Sequence, residues 1–132
     1  MNAENLEKMM TILLVEDNFK TRRMIKRILH SELTGIQRII ECDDGKEAVA
    51  LYQAHFPDWV LMDINIKSID GLQATKDILS LHSDAKIIIV TMYNEPEYRR
   101  LAESMEAYDY VLKDNLFKIP EIIKLQGEKD EA

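Results

Sequence analysis

The feature that most constrains this chain is its alternation between two hydrophobic periods. Five short runs rich in apolar and β-branched residues stand at Thr11 to Val15, Ile36 to Cys42, Trp59 to Met62, Lys86 to Val90 and Tyr108 to Leu112. The segments between them carry apolar residues at helical spacing. Met24, Ile25, Ile28 and Leu29 share one face of a first helix whose other face is Lys20, Arg23 and Arg27. Ala48, Val49, Tyr52 and Phe56 repeat that spacing, as do Tyr98, Leu101, Ala102 and Met105, with a weaker version at Leu72, Ile78 and Leu79. Asn94 is expected to cap the fourth helix, with Pro96 in its first turn and Glu97 placed for a capping box. Pro120 is expected to open a short last helix through Ile122, Ile123 and Leu125, and Gly127 to end it. Strands joined by helices require crossovers, hence a parallel sheet covered on both faces. The runs ILLV and IIIV, apolar throughout, suit strands buried on both sides. The expectation is a single α/β domain, a doubly wound (βα)5 sheet.

At 132 residues the chain is one domain's worth and long enough to bury a core without staples. The boundaries read as an N-terminal tail over 1–9, the domain over 10–126 and a disordered tail over 127–132. With 24 acids against 17 bases, nonspecific nucleic-acid binding by this chain itself is not expected. The single cysteine, Cys42, excludes an internal disulfide; beside Ile39 and Ile40 it reads as a core position in a reducing compartment. The first residues carry two glutamates, ILLV is too short for a signal-peptide core, and no stretch nears the roughly 18 apolar residues of a membrane span. The sequence thus predicts a cytoplasmic protein without membrane contact.

In a sheet of this kind ligands bind outside the carboxyl ends of the strands. Glu16 and Asp17 follow the first run, Asp63 the third, Thr91 the fourth and Lys113 the fifth. The second run offers Glu41, Asp43 and Asp44, expected at the sheet edge. Three carboxylates in one place repel one another and raise each other's pKa values unless a cation intervenes. Lys113 offsets one charge only. A small hard divalent ion with oxygen ligands resolves the conflict, and Mg²⁺ suits one or two carboxylates plus a phosphate. An aspartate so placed can act as a nucleophile and become an acyl phosphate, with metal, ammonium and hydroxyl neutralising the phosphoryl oxygens.

LLVEDN at 13–18, LMDINIKSIDG at 61–71, IIIVTMY at 87–93 and YVLKD at 110–114, in this order, resemble the receiver domain of two-component response regulators. The resemblance covers about residues 10 to 126. It implies a flavodoxin-like fold with strand order 2-1-3-4-5. It further implies that Asp63 is the phosphoacceptor, charged from a phosphohistidine on a sensor histidine kinase or phosphotransfer protein. Asp17 would then hold Mg²⁺ directly, Glu16 mainly through water, and the backbone carbonyl of Asn65 would be a further ligand. Lys113 would pair with Asp63 and then with the phosphoryl group, Thr91 would swing in to hydrogen-bond it, and Tyr110 would rotate inward behind. One phosphoryl group would thereby act on the face built from helix four, strand five and helix five, dimerisation on phosphorylation being one possible output. The domain would also assist loss of its own phosphate.

The sequence departs from the family pattern in places. Lys67 stands where many members have proline and Ile66 where many have methionine; the lysine is expected to add charge to the loop beside Asp63 and loosen it. Glu106 and Asp109 occupy a turn that usually carries glycines, and bear strain if the backbone there needs positive φ. Asp114 follows Lys113 as in receivers attached to helix-turn-helix output domains, so the chain reads as free-standing or as the head of a DNA-binding regulator. Two other classes compete: an aspartyl-phosphate phosphatase, disfavoured because Asn65 stands where such enzymes place a second acid, and a receiver-like scaffold that is never phosphorylated. Asp17 or Asn18 is also placed to cap the first helix; the basic face KTRRMIKR at 20–27 reads as the solvated side of that helix, and the resemblance implies a role in docking the kinase. His30, His55 and His82 lack metal-ligand spacing.

Overall fold

Every apolar run forms a strand, and every segment of helical period forms a helix. The computed structural model describes residues 9–131, so the expected N-terminal tail lies, Met9 apart, outside the described residues. In chain order the elements are β1 (Met10–Val15), α1 (Phe19–Glu32), β2 (Ile36–Cys42), α2 (Gly45–His55), β3 (Trp59–Met62), α3 (Gly71–Leu81), β4 (Ile87–Thr91), α4 (Pro96–Ser104), β5 (Asp109–Leu112) and α5 (Lys118–Glu131). The five strands form one sheet in the order β2-β1-β3-β4-β5, and all four pairings are parallel. The chain reverses direction across the sheet between β1 and β3, so the ends of those two strands flank the crevice.

Residue parity sorts the core into two layers, as a pleated strand requires. Leu13, Val15, Val60, Met62, Ile87, Ile89 and Tyr110 face one side with Ala48, Tyr52, Ala74, Ile78 and Ala102 of α2, α3 and α4. Ile12, Leu14, Trp59, Leu61, Ile88, Val90 and Val111 face the other with Ile25, Ile28, Leu29, Ile119, Ile122 and Ile123 of α1 and α5. Each aliphatic side chain withdrawn completely from water contributes about 1.5–3 kcal/mol before the entropy of ordering it. Cys42 lies in the core as expected, and burial pushes its thiol up to about 11. The thiol is therefore protonated and unreactive at neutral pH.

The helix ends differ from the expectation in instructive ways. Glu95, not Asn94, is the N-cap of α4, and its side chain makes no capping bond. A residue preceding proline is driven to extended backbone; Glu95 before Pro96 takes φ −66° and ψ 136°, which leaves Asn94 one position too early. Helix α5 begins two residues before Pro120, which therefore falls in the first turn, where its missing N–H goes unneeded. It also continues through Gly127 to Glu131, where a disordered tail was expected. Gln126 bonds Asp130 one turn on, at 2.9 Å, and Tyr108 donates to Gln126, so the last turns are tied both along the helix and to the start of β5. The predicted apolar faces are also too wide at their margins. Met24 and Phe56 are 54% and 62% exposed, Phe56 because it sits past α2 in a left-handed cap.

Glu106 has φ 66°, whereas Asp109 does not share the left-handed region. A side chain there clashes with its own carbonyl, at a cost of about 1–2 kcal/mol that glycine escapes. Glu106→Gly is accordingly expected to raise stability by up to about 1 kcal/mol, after allowing for glycine's looser unfolded state. The midpoint of urea unfolding, with unchanged slope, checks this.

Candidate functional site

Three loops and two strand ends supply the site. At the end of β1, the Glu16 N–H donates to the Cys42 carbonyl at 3.0 Å, which fixes the acid pair between β1 and β2. Asn18 caps α1 by accepting from Thr21 N–H at 2.9 Å, and Glu16 Oε2 accepts from Asn18 N–H at 3.1 Å. At the end of β3, Asp63 N–H donates to the Val15 carbonyl, so Asp63 stands beside the β1 terminus. The next turn is tight. Asn65 N–H donates to Asp63 Oδ1 at 3.2 Å, and the N–H groups of Ile66 and Gly71 both converge on the Ile64 carbonyl. A Cβ on Gly71 would lie 1.9 Å from the Asp63 carbonyl oxygen. Only glycine lets α3 start this close to the strand end.

The expected convergence occurs. Glu16, Asp17 and Asp63 place carboxylate oxygens within 4.8 Å of one another, with Glu16 and Asp63 buried and Asp17 exposed. Lys113, carried to the end of β5 by a 2.8 Å bond from its N–H to the Thr91 carbonyl, extends its ammonium between the two buried acids. Its Nζ is 2.8 Å from Glu16 Oε1 and 3.2 Å from Asp63 Oδ2. Burial pushes the Glu16 carboxyl up, opposed by Lys113 and by the Asn18 N–H and reinforced by the charge of Asp63. Burial pulls Lys113 down, but Glu16 and Asp63 outweigh it and leave the ammonium more firmly protonated than usual.

One ammonium between two acids leaves a charge uncompensated, and a third acid stands at the rim. Glu16 Oε1, although close to Lys113, is buried without a well-directed hydrogen bond. An all-oxygen donor set with more acid than base fits a hard divalent cation, which would supply the missing charge. The acidic cluster can thus hold a metal ion. Asn65 follows Asp63 on the exposed arm of the loop.

Thr91 ends β4, completely buried, its Oγ1 accepting from Tyr93 N–H at 3.2 Å. Tyr110 lies one strand over, 5% exposed. Its hydroxyl donates to the Tyr93 carbonyl at 2.6 Å, and the Arg99 guanidinium covers its ring at 4.7 Å. Tyr93 in turn stacks on Tyr98 at 4.8 Å. Thr91 and Tyr110 are thus linked through one residue, with the tyrosine already turned inward.

The expectation for Lys67 fails. The lysine does not loosen the loop after Asp63; its Nζ pairs with Asp43 Oδ2 at 3.0 Å, and its backbone bonds to both Asp43 and Gly45. Sequence reading placed Asp43 at the sheet edge and missed this pairing. The only signal was an unpaired acid facing a loop cation across about 24 residues, which no local pattern reports.

Residues 12–124 match the model of the response regulator receiver domain. The chain belongs to this family. It is 30% identical over 114 residues to the transcriptional regulatory protein DegU of Brevibacillus brevis, covering 86% of this chain but 48% of that one. It therefore spans about half the length of that relative. It is 34% identical over 102 residues to the chemotaxis protein CheY of Bacillus subtilis, covering 77% and 83% of the two chains. Among solved structures it resembles a two-component response regulator of the LuxR family from Aurantimonas sp., with TM-score 0.81 and 28% identity, over 89% of this chain and 84% of that one. The receiver's sheet order and single-domain architecture are those expected. Among the described residues no helix is long and apolar enough to cross a membrane.

Protons would compete with any cation the acidic cluster holds, because burial raises the Glu16 carboxyl above its ordinary 4.5. Mg²⁺ affinity, followed by titration calorimetry, is expected to fall as pH drops toward that raised value, approaching about tenfold per unit below it. Glu16→Gln should weaken binding at neutral pH and flatten the profile.

Proposed function

We propose that this receiver takes a phosphoryl group onto Asp63 from a phosphohistidine of a sensor histidine kinase or phosphotransfer protein. The observation that carries this reading is the placement of Lys113 between Glu16 and Asp63 with Asp17 at the rim. An ammonium and a cation site thus flank one carboxylate that has little access to water except through the crevice. Bound there, Mg²⁺ would shield the phosphoryl oxygens from the acids, with Asp17 and Asp63 as direct ligands, Glu16 mainly through water, and the Asn65 carbonyl completing the protein's share.

A carboxylate oxygen of Asp63 attacks phosphorus as the phosphorus–nitrogen bond to the donor imidazole breaks, and the imidazole leaves with that electron pair. Lys113 exchanges part of its contact with Asp63 for a phosphoryl oxygen, and Thr91 leaves Tyr93 N–H to donate its hydroxyl to another. Their work is charge neutralisation and positioning, since the displacement itself asks for little covalent help. Water drawn into the same site would later hydrolyse the acyl phosphate, so the signal decays.

The surface proposed to pass on the signal is that of α4, β5 and α5, because Tyr110, Tyr93, Tyr98 and Arg99 link the Thr91 hydroxyl to its α4 and β5 parts. An output domain beyond the matched region, as the longer DegU relative suggests, and phosphorylation-driven pairing of two receivers are both compatible with that surface. The phosphatase reading has no second acid at Asn65 to support it. Cytoplasmic location follows from the proposed donor.

Incubation with a small acyl-phosphate donor and Mg²⁺ should give a single acid-stable, base-labile phosphate that Asp63→Asn abolishes. Lys113→Ala should retain metal binding but lower the labelling rate by about 10²-fold or more, as loss of one charge-stabilising donor does. Rapid turnover of phosphate esters would favour a phosphatase, and an unlabelled chain a scaffold.

A further inference from the structure

The loop that follows Asp63 is fastened at its tip to the loop that follows β2. Lys67 N–H donates to the Asp43 carbonyl at 3.2 Å, and Gly45 N–H donates to the Lys67 carbonyl at 2.9 Å. The two segments meet as an isolated parallel bridge between Asp44 and Lys67. Side chains add two further ties. Lys67 Nζ pairs with Asp43 Oδ2 at 3.0 Å, and Ser68 Oγ donates to Asp44 Oδ2 at 2.5 Å. Asp44 is occupied on its other oxygen, where Oδ1 caps α2 by accepting from Lys46 and Glu47 N–H. Ser68 takes φ 70°, a strained conformation for a side-chain-bearing residue, at the point where its hydroxyl reaches Asp44. Gly45 admits the contact, because a Cβ there would lie 2.4 Å from the Ile69 carbonyl oxygen.

These ties concern a segment with a task. Residues 64–70 run from Asp63 to the cap of α3 and carry Asn65 on their exposed arm, with the Asp63 end held by the Asn65 and Gly71 bonds. Without the tip contacts, the middle of the loop would keep only the packing of Ile66 and Ile69 on the core and the turn bond from Ile66 N–H to the Ile64 carbonyl. A loop carbonyl free to wander must be ordered when a cation binds, and that ordering weakens affinity.

We propose that Lys67, with Asp43, Ser68 and Asp44, is a positioning latch that holds the Asp63–Asp70 loop in its cation-accepting form before the cation arrives. The inference rests on the metal-site reading above, which it deepens. It opposes the simplest electrostatic account. An exposed lysine near Asp17 and Asp44 repels a divalent cation, so its removal should strengthen Mg²⁺ binding if charge alone mattered. A latch demands the opposite sign.

Mg²⁺ titration by calorimetry and amide hydrogen exchange of the metal-free protein decide between them, using Lys67→Gln, Ser68→Ala and the charge exchange Lys67→Asp with Asp43→Lys. The latch predicts that Lys67→Gln weakens Mg²⁺ binding about three- to fivefold, the scale of an exposed ion pair. It also predicts faster exchange at residues 65–70 in metal-free Lys67→Gln and Ser68→Ala. The charge exchange, which keeps the local net charge, should bring affinity and exchange back toward the parent values. Tighter binding by Lys67→Gln, or exchange at 65–70 unchanged in both single variants, overturns the latch. A parent protein that takes up no Mg²⁺ overturns the metal reading and the pre-ordering purpose with it, while the exchange rates still show whether the two loops are tied.

Discussion

Two buried carboxylates share one ammonium at the top of this sheet, and most of the structure exists to keep them there. Glu16 and Asp63 lie on neighbouring strands that end in register, so their separation is set by the backbone ladder and not by flexible side chains. Lys113 arrives from β5, two places from β3, its backbone anchored by the bond from its N–H to the Thr91 carbonyl. Burying two acids with one base costs stability that a cavity of water would not demand. The excess of negative charge suits the cluster to a small cation, the basis of the proposed phosphoryl capture.

The sheet makes such a concentration of charge tolerable. Its central strands are apolar on both faces, so the acids do not intrude on the core but cap it. Glu16 and Asp63 come one step after the last buried aliphatic of their strands, Asp17 and Lys113 two steps after, and Thr91 is the final strand residue. This is why the site was legible in the sequence. Hydrophobic runs give the strands, the strands give the ends, and the ends of a parallel sheet gather in one crevice. Asp63, Glu16, Asp17, Lys113 and Thr91 could be assembled without coordinates because each is fixed by its distance from an apolar run.

What escaped the sequence has the opposite character. The Lys67–Asp43 pair joins two loops, and neither partner's position is set by a period. The start of α4 shifted by one residue because backbone sterics before Pro96 outrank a good capping side chain. The end of α5 was misplaced because Gly127 was read as a stop signal, whereas the flanking contacts of Gln126 with Asp130 and Tyr108 carry the helix across it. In each case a tertiary or steric preference overrode a local propensity of similar, small size.

Tyr93 has an outsized place in this geometry. Its amide hydrogen is held by the Thr91 hydroxyl and its carbonyl by the Tyr110 hydroxyl. A threonine that turns away to serve Asp63 must abandon one side of this residue while the other stays bound. With the Tyr110 ring already inside, a signal passed on as proposed would be not the burial of an aromatic group but the loss of a single restraint on one backbone unit. The stiffness of a three-residue turn, and not the travel of a ring, then becomes the quantity that evolution can tune.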